Sequence, residues 1–173
     1  MQIEVEAKAH VREESAKDVI DFLSAKFGSF SKVSKNDFYF RNSDGEFRIR
    51  KENNKFFYNK KQYAIDKNGF ESNSEFEKEI DARDAYELKG DLKPFFTKTK
   101  VGYIWNTNYN TKDVNIEFLS VNNLGLFLEI ELILDSDSDD IDNEKLDAKK
   151  WIMQIFKSLH LDKSIENRKY MEM

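Results

Sequence analysis

The chain has 173 residues, a formal net charge of -5, 39% apolar and 35% charged residues, which suits one folded, soluble globular domain over residues 1–173 and not a disordered segment. With no Cys and only His10 and His160, disulfides, thiolate sites and His-rich metal sites are excluded. The acidic balance argues against nucleic-acid binding, no apolar run reaches the roughly 18 residues of a membrane helix, and Met1-Gln2-Ile3-Glu4 does not read as a signal-peptide start, so a cytoplasmic location without nucleic acid or membrane is expected.

Ile3, Val5 and Ala7 alternate with Glu4, Glu6 and Lys8, which predicts a first strand over 2–10. Ser15 is placed to cap a helix running through Val19, Ile20, Leu23 and Phe27 to Gly28. Residues 33–41 read as strand, and Asn42-Ser43-Asp44-Gly45 is a hairpin turn into a strand where Phe47 and Ile49 alternate with Arg48 and Arg50. Asn53-Asn54 turns the chain into a strand over 55–63, and Asp66-Lys67-Asn68-Gly69 is a loop. Glu75, Glu77 and Glu79 alternate with Phe76, Lys78 and Ile80, before a short helix over 82–89 that Gly90 and Pro94 end.

Residues 95–106 and 112–121 predict two strands around Asn108-Tyr109-Asn110, and Asn122-Asn123-Leu124-Gly125 turns into the apolar strand 126–134. An acidic loop, 135–142, precedes a helix over 143–160 with Leu146, Trp151, Ile152, Ile155, Phe156 and Leu159 on its apolar face. The tail, 164–173, is either a last short strand or frayed. About eight strands joined by short turns, with few helices, predict an α+β fold: a closed antiparallel barrel or strongly curled sheet with helices packed outside.

Charges recur on every second residue of several strands: Glu4, Glu6 and Lys8; Arg48 and Arg50; Lys60; Glu75, Glu77 and Glu79; Lys98 and Lys100; Glu129 and Glu131. Any one of these sets fits a solvated sheet surface. Together they fit that less well, because Glu129 and Glu131 interrupt an otherwise apolar strand, and the helices need the aliphatic face. The charged face is therefore expected inside the barrel. Carboxylates gathered there repel by several kcal/mol per close pair at an effective dielectric of about 20. Interleaved Arg and Lys offset part of this, and a hard divalent cation offsets more. Carboxylate oxygens without His or Cys suit Mg²⁺ or Mn²⁺, and the basic residues beside them suit a triphosphate. No Gly-rich phosphate loop occurs, so phosphate binding would rest on side chains.

These residues resemble the CYTH superfamily of class IV adenylyl cyclases, thiamine triphosphatases and inorganic triphosphatases. Glu4-x-Glu6-x-Lys8 is similar to its opening signature, Phe47-Arg48-Ile49-Arg50 to its Leu-Arg-Ile-Arg strand, and Leu124-Gly125-Leu126-Phe127-Leu128-Glu129-Ile130-Glu131 to its Leu-Gly-x-Phe-x-Glu-Ile-Glu. Lys60 falls where the family has a phosphate-binding lysine, Glu77 and Glu79 resemble its central acidic strand, and Lys98-Thr99-Lys100 stands where Lys-x-Arg is usual. Leu119 replaces a metal-side aspartate, with Glu117 two residues earlier on the same face.

The resemblance implies a triphosphate tunnel with metal at Glu4, Glu6, Glu129 and Glu131. Triphosphate would be held by Lys8, Arg48, Arg50, Lys60, Lys98 and Lys100. Further acidic groups would come from Glu77, Glu79 and Glu117, and catalytic roles would fall to Lys8, Glu4 and Glu6. The leading expectation is a class IV adenylyl cyclase that makes cyclic AMP and pyrophosphate from ATP. The alternative is a metal-dependent hydrolase of tripolyphosphate, thiamine triphosphate or a nucleoside triphosphate, and a third is a non-catalytic polyphosphate- or nucleotide-binding module. A homodimer is compatible with such a barrel. Asp135-Ser136-Asp137-Ser138-Asp139-Asp140 lacks the Gly and the bidentate Glu of a calcium loop and reads as a solvated turn.

Overall fold

The computed structural model describes residues 2–173. Nine strands and three α-helices follow in chain order: β1 (Gln2–Val11), α1 (Ala16–Phe27), β2 (Ser31–Asn42), β3 (Gly45–Glu52), β4 (Lys55–Gln62), β5 (Glu71–Ile80), α2 (Ala82–Lys89), β6 (Phe96–Tyr109), β7 (Lys112–Val121), β8 (Gly125–Asp135), α3 (Ile141–Ser158) and β9 (Ile165–Glu166). The first eight strands pair antiparallel in the order β5-β4-β3-β2-β6-β7-β8-β1, and β1 pairs β5 to close the barrel. Closure leaves no free sheet edge among these strands. β1 splits its outer edge: residues 2–6 pair β5, and Lys8 with Ala9 pair β9.

Alternation sorts the two faces of the sheet. Val5, Ala7, Ala9 and Val11 of β1 point outward with Ile116 and Phe118 of β7 and Leu128 and Ile130 of β8. Val19 and Leu23 of α1 and Ala148, Ile152, Ile155 and Phe156 of α3 cover that aliphatic surface. Each Val, Leu, Ile or Phe among them contributes about 1.5–3 kcal/mol by leaving water. Trp105 is fully buried there and donates its indole N–H to Gly28 O at 3.1 Å. On the opposite flank α2 covers only a small cluster of Phe40, Phe47, Ile49 and Ala85.

The short connections carry their own chemistry. Asn53 and Asn54, and Asn110 and Thr111, all have positive φ, the two-residue hairpin geometry that asparagine tolerates. Gly102, in mid-strand, is required for another reason. A Cβ there would lie 2.0 Å from Phe118 O across the β6–β7 ladder. Gly102→Ala is therefore expected to destabilise the fold by about 3 kcal/mol or more, visible as a lowered thermal unfolding midpoint.

The expected barrel and outer helices are present, with local differences. Ser15 makes no capping bond; a 3-10 turn, Glu13–Ser15, leads straight into α1. Leu146 is half exposed, so α3 packs on the core through Ile141 and then from Ala148 onward. The tail supplies a strand of two residues, and then a 3-10 turn at Tyr170–Glu172 buries Tyr170. No helix among the described residues is long and apolar enough to cross a membrane.

Candidate functional site

Since the outer face takes the aliphatic residues, the alternate residues of every strand point into the barrel. Glu4, Glu6 and Lys8 come from β1, Lys35, Asp37 and Tyr39 from β2, and Arg48 and Arg50 from β3. Lys61 comes from β4, Glu71 and Glu75 from β5, Lys98 and Lys100 from β6, Glu117 from β7, and Glu129 and Glu131 from β8. They enclose a cavity of about 290 Å³, with Glu77 at its rim. The cavity continues into a wider mouth of about 840 Å³, lined by Gln2, Glu75, Glu77, Asn106, Asn108 and Asp113 among others.

Carboxylates gather on the mouth side. β1–β8 pairing sets Glu6 opposite Glu131, and oxygens of Glu4, Glu6 and Glu131 lie within 4.8 Å of one another. Lys61 Nζ sits 2.8 Å from Glu4 and 3.0 Å from Glu6. One cation does not neutralise three carboxylates. Burial, then the charges of Glu4 and Glu6, pushes Glu131 up to about 8. Burial and the neighbouring Glu75 carboxyl push Glu4 up to about 8 as well, against the pull of Lys61. For Glu6 burial is outweighed by Lys61, Lys100 and Lys8, which hold it at about 2.

Asp37 organises the basic wall. Fully buried, it accepts from Arg50 Nε at 2.7 Å and Arg50 Nη2 at 3.0 Å, and stands 3.8 Å from Arg48 and 3.5 Å from Lys98. Burial would raise its carboxyl, but Arg50, Arg48 and Lys98 hold it well below the usual range. Arg48 also reaches Glu75 at 3.2 Å and Glu77 at 3.3 Å. Lys100 donates to both Glu129 oxygens, at 2.9 and 2.6 Å, Lys8 donates to Glu71 at 3.1 Å, and Lys35 pairs with Glu117. Lys98 donates to the Tyr39 hydroxyl at 3.0 Å. Burial, with the charge of Lys100, lowers the Lys98 pKa, whereas Glu129 and Glu117 raise that of Lys100 despite burial.

The structure brings together Glu4, Glu6, Lys8, Arg48, Arg50, Lys98, Lys100, Glu117, Glu129 and Glu131 from the expected set, with Glu77 at the rim. It does not bring Lys60 or Glu79. Lys60 points outward, directly opposite exposed Phe76, and donates to Asp44 O on the surface. One residue of register separates it from Lys61, which occupies the interior. Glu79 shares the face of Glu75 and Glu77 but lies beyond the rim, paired with Lys55 in solvent. Glu129 stands apart from the carboxylate trio, engaged by Lys100 and Tyr170. Leu119 faces inward but lies in an apolar cluster with Val33, Val121, Phe127 and Tyr170 that closes one end. Lys35, Asp37, Lys61, Glu71 and Tyr170 were not expected here.

Buried acidic oxygens facing one another are a donor set for a hard divalent cation. Glu4 Oε2 is buried without hydrogen-bond geometry to any partner, although Lys61 is within ion-pair range. The raised proton affinity of Glu4 and Glu131 is what such an ion would relieve. Glu4, Glu6 and Glu131 fit it.

A family profile described as CYTH domain matches residues 2–166. No curated protein sequence matches the chain. Among solved structures, the PH1012 protein of Pyrococcus horikoshii OT3 is 29% identical with a TM-score of 0.73, and a conserved hypothetical protein of Pyrococcus furiosus is 27% identical with a TM-score of 0.71; each alignment covers 98% of both chains. A candidate adenylyl cyclase from Hippeastrum, described as having a dominant triphosphatase activity, shares the fold at 14% identity, with a TM-score of 0.64 over 93% of this chain and 89% of that one.

Proposed function

The chain belongs to the CYTH family, and from that premise we propose that it is a divalent-metal-dependent triphosphatase that cleaves the terminal phosphate of tripolyphosphate or of a nucleoside triphosphate. One observation carries this reading: an interior cavity of about 290 Å³ whose lining supplies Arg and Lys from five strands facing the trio Glu4, Glu6 and Glu131. Among the interior aromatic rings, Phe96 packs against Tyr39, and the others lie beside cations. Tyr39 and Tyr170 lie beside Lys98, and Tyr63 lies under Lys169. The cavity therefore offers places chiefly for phosphate oxygens.

Water oxygen bonds to the terminal phosphorus, the bridging P–O bond breaks, and orthophosphate separates from the shortened chain. Arg50, its plane fixed by Asp37, binds phosphate oxygens together with Arg48, and Lys8, Lys61, Lys98 and Lys100 spread positive charge over the chain. Such preorganised charges act where negative charge accumulates on the leaving oxygens. The proton that the attacking water sheds leaves with the orthophosphate, whose oxygens accept it. Mg²⁺ or Mn²⁺ held by Glu4, Glu6 and Glu131 would supply Lewis-acid polarisation of a phosphate oxygen.

A second reading, the adenylyl cyclase, draws on the mouth. Asn106, Asn108 and Asn115 place neutral hydrogen-bonding groups beside the carboxylate trio, where a nucleoside joined to an interior triphosphate would lie. In that reaction the ribose 3′-hydroxyl attacks the α-phosphorus and pyrophosphate leaves. Incubation with tripolyphosphate or ATP and Mg²⁺ or Mn²⁺ separates the readings. Orthophosphate without cyclic nucleotide supports the hydrolase; cyclic AMP with pyrophosphate refutes it, and no turnover of either substrate leaves a binding module.

The register correction supplies a paired check. Lys61→Ala is expected to lower kcat/KM about 100-fold or more, whereas Lys60→Ala should leave turnover unchanged, both read in the same phosphate-release assay.

A further inference from the structure

The two ends of the cavity differ in charge and in closure. At the mouth, Glu4, Glu75, Glu77, Asp113 and Glu131 leave an acidic rim with neutral amides between them. The opposite end holds Lys8, Lys98 and Lys100 and is shut by the last segment of the chain. This strap is held by the two-residue pairing of β9 with Lys8 and Ala9, and by His10 N–H donating to Ser164 O at 3.0 Å. Beyond it, Tyr170 enters the barrel. Its ring lies 4.8 Å from Lys98 Nζ, 5.2 Å from Lys100 Nζ and 5.4 Å from Lys8 Nζ, and packs edge-on against Phe127 at 5.0 Å. Its hydroxyl donates to Glu129, and Lys169 next to it sits 3.9 Å above the Tyr63 ring.

We infer that Tyr170, carried on the C-terminal strap, is a specificity-determining residue that limits the phosphate chain this site accepts to a short one. The inference rests on the triphosphate reading of the cavity. With Tyr170 in place, a chain bound to Lys8, Lys98 and Lys100 cannot extend past them, because the ring and the apolar cluster around Phe127 fill that end. Further phosphate units would have to leave through the mouth, past Glu75, Glu77 and Asp113, each added unit bringing more negative charge to that rim. A neutral nucleoside meets no such repulsion there. Tripolyphosphate and nucleoside triphosphates therefore fit, and long-chain polyphosphate does not. Removing the ring opens a second way out beside three lysines, where a polyanion is favoured.

The test compares Mg²⁺-dependent phosphate release from tripolyphosphate and from long-chain polyphosphate, per chain end, with binding of each followed by calorimetry. Wild type is expected to prefer tripolyphosphate by about tenfold or more in kcat/KM. Tyr170→Ala, and a chain ending at Arg168, should shrink that preference about tenfold, mainly through a lower KM for the long chain. Tyr170→Phe keeps the ring and should keep the preference. Equal handling of both chains by wild type overturns the inference without recourse to any variant. So does an unchanged preference in whichever of the alanine and truncated forms retains the wild-type unfolding midpoint. Failure of wild type to bind tripolyphosphate at all overturns the triphosphate reading, and this inference with it.

Discussion

Glu131→Gln is expected to lower turnover steeply while making the metal-free protein more stable. The carboxylate belongs to the trio that fits a divalent cation, and loss of such a group costs about 100- to 1000-fold in kcat/KM. The stability change runs the other way. Folding raises the proton affinity of Glu131 from 4.5 to about 8, through burial first and then the charges of Glu4 and Glu6. Its favourable contribution is complete below pH 4.5 and is lost as pH rises through about 8. At neutral pH the deficit is about 3 kcal/mol, and a neutral amide at the same position removes it. Thermal unfolding without metal should show the variant above wild type by several degrees at pH 8, with the gap closing toward pH 5. Mn²⁺ should raise the wild-type midpoint most at the alkaline end and leave the variant nearly unmoved. A variant that unfolds earlier than wild type at pH 8 would contradict this account.

Asp37→Asn is expected to have the largest effect on stability, about 3–5 kcal/mol of destabilisation. The residue is fully buried and faces Arg50, Arg48 and Lys98, so the change leaves three interior cations without their shared counter-charge. Its pKa is depressed, which places the contribution above the unfolded value of 3.8 and removes it only as pH falls through the much lower folded value. Denaturant unfolding at neutral pH should therefore show the full loss, and the difference from wild type should shrink in acid. Activity should fall with it, because the Arg50 guanidinium loses both bonds that fix its plane. An anion in the cavity should recover part of the stability, since phosphate oxygens can replace the missing charge; titration with tripolyphosphate without metal would read that recovery.

These two residues differ in how far sequence alone gives them away. Glu131 is conspicuous because Leu126 to Leu134 is apolar except at two alternate positions, and a period of two has one physical meaning in a buried strand. The same logic made β1, β3 and the interior position of Glu129 legible, and through them the barrel. Asp37 follows Ser34-Lys35-Asn36, where both faces of the strand are polar and neither is marked as inner. Only its cross-strand partner Arg50 fixes its side. Lys60 and Lys61 show the same limit. Phe56, Phe57 and Tyr58 put aromatic rings on both faces of β4, so hydrophobic alternation assigns no parity to the two lysines. Their order is decided by pairing with β3, where Arg48 stands opposite Asn59. Tyr170 was illegible for a third reason. Its segment has no period, and its partners lie at Lys8, Lys98, Lys100 and Glu129, far away in the chain.

The closure of the barrel through β1 also governs when the molecule can assemble. The first strand finds its partners only in β5, β8 and β9, so it is flanked on both sides only after residues 125–135 have been synthesised. Contacts so distant in sequence make the ordering of β1 costly in loop entropy and place it late in folding, on the slow side for a domain of this size. Glu4 and Glu6 meet Glu131 only in that last step. A divalent ion therefore cannot nucleate the fold by gathering the trio early. Its influence falls on the lifetime of the closed barrel, by slowing the release of β1.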